Sequence, residues 1–197
     1  MHRLTVIIIA LLVVGAAAQP PVAHNDPAWE SAAADFTTAL LDPTGSSQPA
    51  TALAPDAAIH TFGGEASPLL RLQAALSDST VLGTYGYTLP ATSIADDIAE
   101  AVSASALPDE IKRQMAPSAQ SRPRANAIAL QWVSRALRAG EGECIAVMIL
   151  APNTIGDAPA TDGETLFTFV LFKGSKTASG EYRVTTIVYG DPLSGER

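Results

Sequence analysis

Two segments in the last third of this chain constrain its fold most, because both are apolar on two faces. Ile145-Ala146-Val147-Met148-Ile149-Leu150 contains no polar residue. A run of that length bounded by polar residues reads as a strand buried on both sides, from Cys144 to Leu150. In the segment Thr165 to Lys173, alternation puts Phe167 and Phe169 on one face. Leu166, Thr168, Val170 and Phe172 share the other, so this strand too needs cover twice. Helices supply one cover, and inserted helices or a partner subunit the other. Tyr182 to Tyr189 reads as a third long strand, joined to the second by the polar loop Gly174 to Gly180 as a hairpin.

Upstream, helical signals dominate. Asp26 is placed to cap a helix with Pro27 at its first position, and Trp29, Ala33, Phe36 and Leu40 follow at helical spacing. Asp42-Pro43 and Gly45 end it. Thr51 to Ala54 reads as a turn, and Ala57 to Phe62 as a short strand stopped by Gly63-Gly64. Ser67-Pro68 opens a second helix with the stripe Leu69, Leu72 and Leu76. Thr80 to Thr88 favours a strand that two glycines weaken. Residues 92–117 read as two short helices, the first with Ser93 and Asp96 as a capping box. A longer helix over Ala125–Ala139 turns Ala127, Leu130, Val133 or Ser134, and Leu137 inward and closes at Gly140. Helices early and strands late predict an α+β fold, with helices on one face of an antiparallel sheet.

The first 18 residues read as a cleavable export signal. His2 and Arg3 precede the apolar run Leu4–Val14, Gly15 breaks it, and Ala16-Ala17-Ala18 offers small side chains for cleavage before Gln19. The apolar run is shorter than the roughly 18–20 residues a membrane span needs. The expected address is therefore outside the cytoplasm, periplasmic or secreted, and the Ala-rich composition suits a bacterial envelope. After the leader come a flexible Pro-rich lead at 19–27, a single domain at 28–193 and a tail at 194–197. Cys144 is the only cysteine, so no intramolecular disulfide forms, and its apolar neighbours predict a buried, inert thiol. The net charge of −8 becomes −9 when Arg3 leaves with the leader. That balance disfavours nucleic acid and anionic membrane as partners of the mature chain.

Few residues point to chemistry. His60, in Ile59-His60-Thr61-Phe62, is the one candidate general base. His60 with Glu65, or Asp96-Asp97 with Glu100, lacks the ligand count of a metal site, and no cofactor motif occurs. Gly83-Thr84-Tyr85-Gly86-Tyr87 is not followed by Gly-Lys-Ser/Thr, and no Gly-x-Ser-x-Gly occurs. Half the basic residues crowd into one stretch of the middle, where Arg122, Arg124, Arg135 and Arg138 offer an anion or an acidic partner a docking place. Trp29, Phe36, Tyr85, Tyr87, Phe167 and Phe169 are candidates to line a ligand pocket between helix and sheet.

An opening helix with an aromatic stripe, then a short helix, the strand Ala57–Phe62, another helix and final strands ending in Tyr182–Pro192 resembles the nuclear-transport-factor-2-like superfamily, with its SnoaL-like and ketosteroid-isomerase-like branches. The resemblance covers residues 28–90 and 143–192, and the helical stretch 92–139 departs from it as an insertion. It implies a cone: a curved antiparallel sheet wrapped around the long helix, enclosing a pocket for a small apolar molecule. Three functional expectations follow. The first is a non-catalytic ligand-binding or interaction domain, dimeric through its sheet. The second is a SnoaL-like isomerase or lyase with His60 as base and Tyr85 or Tyr87 as donor, although no residue here matches the isomerase branch's Asp. The third is an envelope protein docking an acidic partner through its basic helix.

Overall fold

The computed structural model describes residues 26–42, 49–105, 109–152, 154–155, 158–159 and 168–190. The leader, the Pro-rich lead to Asn25, Phe167 and the tail lie outside them. Helix α1 (Pro27–Leu41) starts where the local signals place it. Asp26 is extended, and its Oδ1 accepts from the N–H groups of Ala28 at 3.0 Å and Trp29 at 3.2 Å. Its buried face is Trp29, Ala33, Phe36, Thr37 and Leu40. One turn, α2 (Pro49–Ala52), leads directly into β1 (Leu53–Thr61). Helix thus takes Thr51 and Ala52, and strand takes Leu53 and Ala54, of the expected turn at 51–54. Pro55 is tolerated because β1 is an edge strand whose register breaks between Leu53 and Ala58. Then come α3 (Leu69–Leu76), with Pro68 at the cap, and β2 (Ser79–Thr88).

Three helices follow: α4 (Ile94–Ala104), α5 (Asp109–Met115) and α6 (Arg122–Leu137). Helix α6 ends on Arg138 in the left-handed region (φ 49°), two residues before Gly140. Its inward positions are Asn126, Ala129, Val133 and Leu137, whereas Ala127 is exposed and Leu130 half-buried. The stripe is shifted because a polar residue, Asn126, holds an inward place. The chain ends in β3 (Cys144–Pro152), a small hairpin of β4 (Thr154–Ile155) and β5 (Ala158–Pro159), then β6 (Thr168–Lys176) and β7 (Tyr182–Gly190). The β6–β7 pairing continues to Lys176↔Tyr182, so Gly174 belongs to the strand rather than to the turn.

The main sheet has the order β1-β7-β6-β3-β2. The β2–β3, β3–β6 and β6–β7 pairs are antiparallel as expected, but β1 runs parallel to β7, which makes the sheet mixed. Helices cover both of its faces, not one. On the first, Trp29, Phe36 and Leu40 of α1 and Leu72 and Leu76 of α3 pack on Ala146, Met148, Val170, Phe172 and Ile187. On the second, Ile94 and Ala101 of α4 and Ala129, Val133 and Leu137 of α6 pack on Tyr87, Ile145, Val147, Leu171 and Val188. The double cover demanded by the two apolar strands comes from within the chain, because the stretch read as an insertion folds back onto the sheet.

Candidate functional site

The densest polar arrangement lies between the second sheet face and its helices. Asn126 of α6 caps α4 from outside: its Oδ1 accepts from the N–H groups of Ala95 at 2.7 Å and Asp96 at 3.4 Å, and its Nδ2 donates to Asp96 Oδ2 at 2.9 Å. Arg122 Nε lies 3.0 Å from Asp96 Oδ1. The expected Ser93–Asp96 capping box does not form. Ser93 Oγ instead donates to Asp97 Oδ2 at 2.9 Å, which also accepts the Tyr87 hydroxyl at 2.6 Å. Burial, reinforced by the Asp97 carboxylate, pushes the Tyr87 phenol far above its ordinary range. Tyr85 is pushed up as well, by burial first and then by Glu100 and Asp97. The cluster clasps α4 to α6 and to β2, and it fully engages the Tyr87 proton.

His60 stands elsewhere. On edge strand β1 it pairs with Val188 and bridges to Ala66, half-buried, and its imidazole makes no hydrogen bond to another described residue. Tyr85 and Tyr87 belong to the opposite edge, β2. Four inter-strand steps of about 4.8 Å separate these edges by roughly 19 Å. The structure therefore does not bring the expected base and either expected donor to one small substrate.

The sheet also divides the five aromatic candidates that lie among the described residues. Trp29 and Phe36 are fully buried on the first face, edge-on to Phe172 at 6.3 and 5.3 Å. The Trp29 indole donates to the Ile145 carbonyl at 2.7 Å. They fill a core and line no space. Tyr85, Tyr87 and Phe169 lie on the second face. There a different aromatic group assembles: Phe62 stacks on Trp132 at 5.7 Å, and Trp132 meets Phe169 edge-on at 5.4 Å, all three half-buried. No local pattern links Phe62 and Trp132, which come from the turn just after β1 and the middle of α6. One open groove lies between α1 and β2, lined by Ala34, Thr38, Leu41, Val81 and Thr84, and another beside Leu89, Pro90, Leu130 and Gly140. Neither includes an expected site residue.

The four arginines do not converge. Arg122 is paired with Asp96, and Arg124 Nε is buried without a hydrogen-bond partner among the described residues. Arg135 and Arg138 are exposed, with no ion pair among the described residues. At 1.5 Å per residue, Arg122 and Arg135 are about 20 Å apart along α6. Burial pushes the Cys144 thiol up, with Thr88 Oγ1 3.8 Å away. Among the described residues, no three of His, Cys, Asp and Glu converge as metal ligands, and no helix is long and apolar enough to cross a membrane. Compared with family models, curated proteins and solved structures, the chain gives no match.

Proposed function

We propose that the mature chain is an exported, non-catalytic interaction domain that works through its outer surface rather than inside a pocket. One observation carries this reading: the space between α1 and the sheet, where the superfamily resemblance implies a pocket, is packed with fully buried Trp29, Phe36, Met148 and Phe172. The separation of His60 from Tyr85 and Tyr87 across the sheet supports it, since an acid–base pair must lie within hydrogen-bond reach of one substrate. The order of elements supports the nuclear-transport-factor-2-like scaffold, with the helical stretch as the added part that covers the other face of the sheet.

The surface best suited to a partner is the outer face of α6, where Arg135 and Arg138 are exposed on a protein of net charge −8. An acidic protein partner is the matching chemistry. Photo-crosslinking from position 131, between those arginines and the exposed Ala127, tests this in the exporting host. The expected result is a defined adduct that high salt weakens and that Arg135→Glu with Arg138→Glu abolishes. An adduct indifferent to charge reversal, or none, counts against the reading.

A second reading rests on the half-buried Phe62–Trp132–Phe169 group, an aromatic surface suited to a small apolar ligand. Native mass spectrometry of protein recovered from its host checks it. Retained mass that disappears in Trp132→Ala supports a ligand site, and retained mass indifferent to Trp132 removes it.

A further inference from the structure

We propose that this fold is arranged to stay open until its last third has arrived, so that the chain remains threadable during export; the export half of the statement rests on the reading above. The three central strands of the sheet, β7, β6 and β3, all come from residues 144–190. Among the described residues, the only strands before Cys144 are β1 and β2, which stand at opposite edges and share no pairing. β1 pairs with β7, from Leu53↔Val184 to Thr61↔Tyr189, and β2 pairs with β3, from Ser79↔Pro152 to Thr88↔Cys144.

The early helices depend on the same late residues. The Trp29 indole bonds the Ile145 carbonyl, its ring sits where Gly174 leaves room, and the α1 cap Asp26 receives the Tyr182 hydroxyl. Helices α4 and α6 rest on Ile145, Val147, Leu171 and Val188. Isolated helices below about 12–15 residues are marginal in water, and α3, α4 and α5 have 8, 11 and 7. Without residues 144–190 the chain has no sheet on which to bury any apolar stripe. Pairings this distant in sequence also form slowly. A leader like the one at 1–18 delivers its chain to a channel that passes it unfolded, and delayed closure fits that route.

Pulse-labelling hydrogen exchange during refolding from urea, on the chain starting at Gln19, tests the order of events. The expected result is one phase in which amides of α1 and β1 gain protection together with those of β6 and β7. Protection of α1 or β1 in a separate phase, roughly tenfold faster than β7, overturns the proposal, because one cooperative transition gives one rate. The export half is tested separately by the N-terminus and location of the chain in its host. A mature chain beginning at Gln19 outside the cytoplasm is expected. Full-length chain retained inside overturns that half and leaves the refolding result intact.

Discussion

At the scale of single residues, two glycines in strands set how closely α1 approaches the sheet. A Cβ on Gly174 would lie 2.3 Å from Trp29 Cζ3, and one on Gly86 would lie 2.9 Å from the Glu30 Cα. Read locally, Gly174 opens a loop and Gly86 weakens a strand. Their use depends on a helix far away in sequence, which no local pattern reveals. Gly174→Ala should destabilise the fold by about 1–3 kcal/mol, the usual cost of overpacking. Gly63→Ala, whose Cβ meets only Thr61 Oγ1 at 3.6 Å, should leave the urea midpoint unchanged. Equal midpoints for the two variants would refute the close-approach argument. Asp26 gives a prediction with a pH sign. Its carboxyl is held below its ordinary value of 3.8, chiefly by the Tyr182 hydroxyl and then by the N–H groups of Trp29 and Ala28. A depressed carboxyl stabilises the fold above its unfolded value, and the contribution fades as pH falls through the folded one. Tyr182→Phe should therefore lower stability at neutral pH, and its deficit against the native chain should shrink below about pH 3.8. A deficit constant with pH would mean that the bond from the hydroxyl to the Asp26 carboxylate is not what stabilises the fold.

At the scale of elements, legibility followed the range of the interactions. Helix α1 was readable because its cap, its proline and its stripe all lie within 15 residues of one another. Helix α6 was readable as a helix but not in phase. Its inward Asn126 is explained only by Ala95 and Asp96 of α4, and a reading by apolar spacing has no reason to turn an amide inward. The parallel pairing of β1 with β7 and the Phe62–Trp132–Phe169 group were equally hidden, since each depends on tertiary neighbours. The Asn126 clasp is open to test. Asn126→Ala removes the side-chain acceptor of the Ala95 N–H and should cost about 1–2 kcal/mol, as loss of a helix cap does. Asn126→Asp keeps an acceptor for that N–H but sets a second carboxylate against Asp96 Oδ2, now 2.9 Å from the Asn126 amide nitrogen. It should also be destabilised, and adding Asp96→Asn should recover most of the loss. Chemical denaturation of the four proteins measures the coupling, and strictly additive losses would mean that the clasp does not act as a unit.

At the scale of the whole molecule, where the apolar surface goes decides how this chain can associate. A sheet with one open apolar face invites a face-to-face dimer, and the two-sided strands Cys144–Leu150 and Thr165–Lys173 make that a natural expectation. Here Ile145–Leu150 and Val170–Phe172 are buried within a single chain, between α1 and α3 on one side and α4 and α6 on the other. Among the described residues, Leu70, 78 % exposed, is the one large apolar side chain left out in solvent. Stable homodimer interfaces are larger and more apolar than that, commonly 2,000 Å² or more in the obligate cases. Edge strands β1 and β2 remain open to pairing, but β1 carries Pro55 and a register break, and β2 is irregular between Val81 and Gly83. Such features blunt an edge against a second copy. The purified mature chain should therefore sediment with the mass of one chain across the micromolar range, at low and at high salt alike. A stable dimer would show that the surface available for association is larger than these faces and edges allow. Hydrogen exchange would then locate it: new protection on β1 or β2 would mean edge pairing, and lost protection in α4 and α6 would mean that the helical cover had moved aside.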